Sequence, residues 1–217
     1  MNNKNKIPGM MHQIELDILR GLAALVPKNG KILEIGAFYG RTTSALYHGK
    51  DSSVNLTVVD FWQYKTHLDH PWINFEGDSE LLKLVNKLSV EHGSYRAGFE
   101  YCLADILHDI EVLQIDSKKI INHEDYDFIF IDGDHEETVG FDISNSIKNS
   151  KTLVFGDDYL INAFPDIRNN VYSNKKDRCV VLPMSMYTKL WGLIPNRGYW
   201  RENISKIFDA MEGKSYE

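Results

Sequence analysis

The feature that most restricts this chain is a short, unbroken apolar run that stops abruptly at a glycine or an aspartate, and it recurs. Phe128-Ile129-Phe130-Ile131 stops at Asp132, and Leu153-Val154-Phe155 stops at Gly156-Asp157-Asp158. Leu56-Thr57-Val58-Val59 ends at Asp60, and Ile32-Leu33-Glu34-Ile35 ends at Gly36. A strand wetted on one face alternates apolar and polar residues, so runs without alternation are buried on both faces. Helical spacing precedes the first run at Ile14, Ile18, Leu22, Leu25 and Val26, and lies between later ones at Phe99, Leu103 and Ile106 and at Val139, Ile143 and Ile147. Strands that alternate with helices predict an α/β fold with a mostly parallel sheet and helices on both faces. Further strands are expected at Val112–Ile115, Cys179–Leu182 and Lys189–Leu193, and an N-terminal helix at about 10–27, stopped by Pro27-Lys28-Asn29-Gly30.

No linker, repeat or low-complexity tract divides the 217 residues, so a single domain over 1–217 is expected. The segment 61–92 is longer than a plain crossover and reads as a lid or insertion; its His67, Asp69 and His70 suit a substrate lid or a solvated loop. The formal charge of −7 argues against binding a nucleic-acid backbone. No apolar stretch reaches membrane-span length, and MNNKNKIPGMMHQ lacks the apolar core of a secretory signal. Two cysteines, Cys102 and Cys179, are too few for a disulfide framework or a Cys-x-x-Cys zinc site and read as buried thiols. A cytoplasmic protein with a small-molecule partner follows, with no membrane or nucleic-acid partner; a homo-oligomer stays open. Lys175-Lys176-Asp177-Arg178 reads as an exposed turn.

Ligands of open parallel sheets bind beyond the carboxyl ends of the strands. The residues there are Gly36 to Gly40, Asp60, Asp116-Ser117, Asp132-Gly133-Asp134-His135 and Asp157-Asp158. Glycines in the first turn allow a ligand close to the backbone. Phe38 and Arg41 stand where a dinucleotide fingerprint needs its second and third glycines, which disfavours NAD and FAD, and no P-loop follows.

Glu34-x-Gly36-x-x-x-Gly40 resembles motif I of the class I S-adenosylmethionine-dependent methyltransferases. The resemblance implies a Rossmann-like, seven-stranded, mostly parallel sheet with an antiparallel last strand. It implies S-adenosylmethionine as cofactor, held by Glu34, Gly36, Ala37, Phe38, Gly40 and Thr42 around the first loop. Asp60 would take the ribose hydroxyls. Phe61, Trp62, Asp116 and Ser117 would lie on the adenine side, and Asp132 would also bind the cofactor.

Asp132, Asp157 and Asp158 end what should be neighbouring strands, and carboxylates so placed repel unless a cation or proton intervenes. With no lysine in either motif, the sequence points to a hard divalent ion, Mg²⁺. This is similar to the metal-dependent O-methyltransferases of catechols and of macrolide or aminocoumarin sugars, which implies Asp132, Asp157 and Asp158 as metal ligands. His135, with Asp134 beside it, would be the base. The expected reaction is Mg²⁺-dependent O-methylation of a sugar, vicinal diol or catechol-like acceptor. The alternatives are metal-independent transfer using His135 and a non-catalytic cofactor-binding module. Tyr159 could line the acceptor pocket or belong to the core.

Overall fold

The computed structural model describes residues 7–62, 79–120, 123–134, 138–159, 165–182 and 188–212. His135 and the stretch of the expected lid that holds His67, Asp69 and His70 lie outside the described residues. The strands are β1 Lys31–Ile35, β2 Asn55–Asp60, β3 Glu111–Gln114, β4 Phe128–Ile131, β5 Leu153–Gly156, β6 Cys179–Val181 and β7 Trp191–Ile194. They form one seven-stranded sheet in the order β3-β2-β1-β4-β5-β7-β6. The pairs β1–β2, β1–β4, β2–β3 and β4–β5 are parallel, whereas β7 runs antiparallel to both β5 and β6.

The unbroken apolar runs have the expected cause. Phe128 and Phe130 point to one face, where they meet Leu19 and Leu22 of α1 (Gln13–Ala24), Leu46 of α2 (Arg41–Gly49) and Phe99 of α4 (Tyr95–Cys102) within one cluster. Ile129 and Ile131 point to the other, with Val139 and Ile143 of α5 (Val139–Ser146) and Val171 of α6 (Pro165–Asn174). All four β4 side chains are buried, because both faces of the sheet are covered. The remaining helices are α3 Ser79–His92, α7 Tyr199–Glu202 and α8 Ile204–Met211. Among the described residues no helix is long and apolar enough to cross a membrane.

Two expectations are corrected. Arg178 is buried rather than part of an exposed turn: its guanidinium donates to the carbonyls of Thr152 at 2.5 Å, Asn149 at 2.6 Å, Leu193 at 3.4 Å and Ile147 at 3.5 Å. It fastens the end of α5 to β5 and β7 at the edge where the parallel strands begin. Arginine suits that task because its fork carries five donors and cannot readily lose its charge, although burial lowers its pKa to about 10. The cysteines also differ from expectation, since Cys179 is exposed and Cys102 half-buried, both as free thiols.

Candidate active site

At the carboxyl end of the sheet the hydrogen-bond ladder runs on into the loops. Gly36 N–H donates to the Val59 carbonyl, Asp132 N–H to Ile35 and Asp157 N–H to Ile131, at 2.8, 2.7 and 3.1 Å. This continuation lines up the loops after β2, β1, β4 and β5. Gly36 has φ +88°, and a Cβ there would lie 2.1 Å from the Asp132 carbonyl oxygen. Glycine is therefore required twice over, by a left-handed backbone and by contact between two site loops. Gly40, also at φ +88°, backs onto the side chain of Leu103 just past α4.

Glu34 and Asp60 hold this loop from opposite sides. Glu34 is fully buried, and its carboxyl accepts from the Thr42 hydroxyl and, at 2.6 Å, from the Thr43 hydroxyl in the first turn of α2. Burial raises its pKa to about 7, against the two hydroxyl bonds that lower it. Asp60 Oδ2 accepts from the Ala37 and Phe38 amides at 2.8 and 2.9 Å, and Oδ1 accepts from the Trp62 amide at 2.7 Å. Phe61 N–H is a fourth donor. Burial pushes this carboxyl up, and the backbone donors pull it back. Four donors match the lone pairs a carboxylate offers, so the first task of Asp60 is to hold the loop.

The two aromatic residues after β2 part company. Trp62 is buried, donates from its indole to the Phe38 carbonyl at 2.8 Å and packs 5.0 Å from the Phe99 ring, so it is part of the clasp. Phe61 is 51% exposed. Beyond β3, Asp116 caps the 3-10 turn Ser117–Lys119 by accepting from the Lys118 amide at 2.9 Å. Ser117 hydrogen-bonds the buried Asp142 of α5.

On the other flank the structure brings Asp132, Asp157 and Asp158 together, as the sequence suggested. Burial, and then the charges of Asp157 and Asp158, push the Asp132 carboxyl well above the ordinary range, while Lys189 pulls it down. Sequence reading missed Lys189. Its ammonium lies 3.0 Å from Asp157 Oδ2 and 2.6 Å from Asp158 Oδ1. Burial alone would lower its pKa, but the two carboxylates outweigh this and hold it above its usual value, so it is a fixed positive charge. Its main chain is tied as well: the Lys189 amide donates to Glu15 Oε1 of α1 at 2.7 Å, and its carbonyl accepts from the Tyr159 amide at 2.9 Å. Tyr159 itself is buried in the core around α5 and α6.

The magnesium expectation rested on the absence of a lysine from either motif; Lys189 comes from outside both and supplies the cation there. A divalent ion on the same oxygens would have to displace the ammonium, because two cations at hydrogen-bond distance from one oxygen pair repel strongly. The donor set therefore does not fit Mg²⁺. Among the described residues no group of three or more His, Cys, Asp or Glu side chains is arranged to hold a metal. Asp134, expected beside the base, is exposed, and its carbonyl accepts from the Thr138 hydroxyl at 3.4 Å.

No family model matches the sequence, and no curated protein matches it. Solved structures do match in fold. A protein from Corynebacterium glutamicum superposes with a TM-score of 0.60 at 12% identity, over 87% of this chain and 83% of that one. A methyltransferase from Geobacter sulfurreducens gives 0.55 at 14%, over 85% and 79%. A ribosomal protein methylase from Lactobacillus delbrueckii subsp. bulgaricus gives 0.52 at 16%, over 86% and 79%. The chain has the Rossmann-like fold of the class I methyltransferases, with its mostly parallel sheet and antiparallel last strand.

Proposed function

We propose that this chain is an S-adenosylmethionine-dependent methyltransferase that acts on a hydroxyl of a small molecule. The observation that carries the reading is the glycine loop at the carboxyl end of β1, held in shape by buried acids on a sheet with the methyltransferase fold. Glu34, Asp60, Asp132, Asp157 and Asp158 border a glycine loop of the methyltransferase fold, and the ammonium of Lys189 is set against the last two. Phe38 and Arg41 stand in that turn where a dinucleotide site needs glycines, so the loop suits a cofactor without a pyrophosphate.

S-adenosylmethionine, when bound, supplies a methyl group already activated on sulfur, so the protein has mainly to position the acceptor oxygen and receive its proton. Gly36 and Gly40, with Ala37 and Tyr39 buried in the core between them, give the cofactor a backbone surface at the end of β1. Asp60 and Trp62 hold that surface in shape, and Thr42 and Thr43 fix Glu34 beneath it. A ribose contact at Asp60 requires one of its backbone donors to give way. Phe61, Asp116 and Ser117 form the adenine side. His135 is retained as the base, with Asp134 at the mouth of the same loop. A metal has no part in this reading.

Calorimetric titration with S-adenosylhomocysteine tests the proposal, followed by a methyl-acceptor screen weighted toward sugars and catechols. Saturable one-to-one binding and a singly methylated product are expected. Absence of binding at millimolar ligand would refute it, and binding without transfer to any acceptor would favour a non-catalytic module.

A further inference from the structure

We propose that Lys189 is a built-in cation: its ammonium takes the place between Asp157 and Asp158 that a divalent ion would otherwise fill, so the site neither binds nor needs a metal. The inference deepens the methyltransferase reading, because it rests on this edge being the acceptor end of that site. Its test nevertheless needs neither cofactor nor acceptor.

Three observations carry it. The ammonium contacts one oxygen from each acid, at 3.0 and 2.6 Å, so it bridges the pair. The lysine is also built in place: Thr188 and Leu190 on either side are each 2% exposed, its amide is bonded to Glu15, and its carbonyl to the Tyr159 amide. The main chain is thus held where the ammonium reaches both acids. The acids are shaped to meet it. Asp158 adopts φ +62°, a left-handed conformation that aspartate tolerates better than most residues, and the Asp157 main chain is pinned by the Trp191 indole on its carbonyl at 3.1 Å.

Topology explains why the cation comes from this position. The carboxyl ends of the parallel strands β4 and β5 carry the acids, and β7 runs the other way. Its amino-terminal end therefore arrives at the same edge, and Lys189 stands two residues before Trp191, the first residue of β7.

The experiment is a titration of the full-length protein with Mn²⁺ alone, read by calorimetry and by the electron paramagnetic resonance of free Mn²⁺. Wild type should show no saturable site up to about 1 mM. Lys189→Ala uncovers two adjacent carboxylates and should gain one Mn²⁺ site, tighter than any in wild type by roughly tenfold or more. That site should vanish in Lys189→Ala/Asp158→Asn, and Lys189→Arg, which keeps the charge, should stay metal-free. The proposal is overturned if wild type binds one Mn²⁺ that Asp158→Asn abolishes, or if folded Lys189→Ala gains none. Should Lys189→Ala fail to fold, wild type and its Asp158→Asn variant decide alone. S-adenosylhomocysteine binding, measured separately, reports on the methyltransferase reading.

Discussion

Glu34 carries a prediction that can be worked through from its surroundings. Its carboxyl is wholly buried, accepts two threonine hydroxyls, and is pushed from 4.5 to about 7 because burial outweighs those bonds. An acid raised in this way keeps its proton in the folded state where the unfolded chain has already lost it, so folding takes up a proton across that window. The stability from this group is fully present below about pH 4.5, declines as pH rises, and is lost once pH has passed about 7. At about 1.4 kcal/mol per pH unit the loss comes to about 3 kcal/mol. Glu34→Gln has no charge to desolvate, and its amide can accept from one threonine hydroxyl while donating to the other. Urea unfolding of both proteins between about pH 5 and pH 8 should show their stability gap shifting by about 3 kcal/mol, with the variant favoured at the alkaline end. Parallel pH curves would refute the reasoning, since they would mean that Glu34 is already ionised in the fold at low pH.

Two further substitutions separate the loop from the scaffold. Gly36→Ala places a Cβ 2.1 Å from the Asp132 carbonyl oxygen at φ +88°, and should weaken S-adenosylhomocysteine binding at least about tenfold with a loss of roughly 1–3 kcal/mol in stability. Unchanged affinity in calorimetry would show that this loop is not the cofactor surface. Arg178→Ala strips the donor from four carbonyls and should cost about 2–4 kcal/mol in urea unfolding. Its ligand affinity should stay as in wild type, because Arg178 lies at the opposite edge of the sheet.

Much of the fold is legible in the sequence because burial on both faces erases polar alternation, and Phe128–Ile131 and Leu153–Phe155 show that erasure directly. The glycine loop and the acids after β2, β4 and β5 are legible for a related reason, since in parallel strands the functional edge always follows the apolar run. Lys189 escapes the same rule. It precedes its strand, and only the reversed direction of β7 brings it to that edge. Arg178 looks like one more charge in a basic turn, and its burial depends on where the ends of α5, β5 and β7 converge. The role of Asp60 in holding the loop is hidden because a carboxylate at a strand end suits a ribose and four amides equally well.

The bond from the Lys189 amide to Glu15 spans 174 residues, as does that from the Tyr199 hydroxyl to the Leu25 carbonyl. Contacts of such separation carry a high closure cost, which the ordering of the intervening chain must offset. During synthesis, Asp157 and Asp158 emerge 32 and 31 residues ahead of the ammonium that neutralises them. A nascent sheet that stops at β5 thus carries an uncompensated acidic pair at its edge. The arrival of β7 completes the charge balance of the site and joins the last strands to the first helix in one event. On this topology the charge balance of the acidic pair and the tie between the last strands and the first helix depend on the same residue, Lys189.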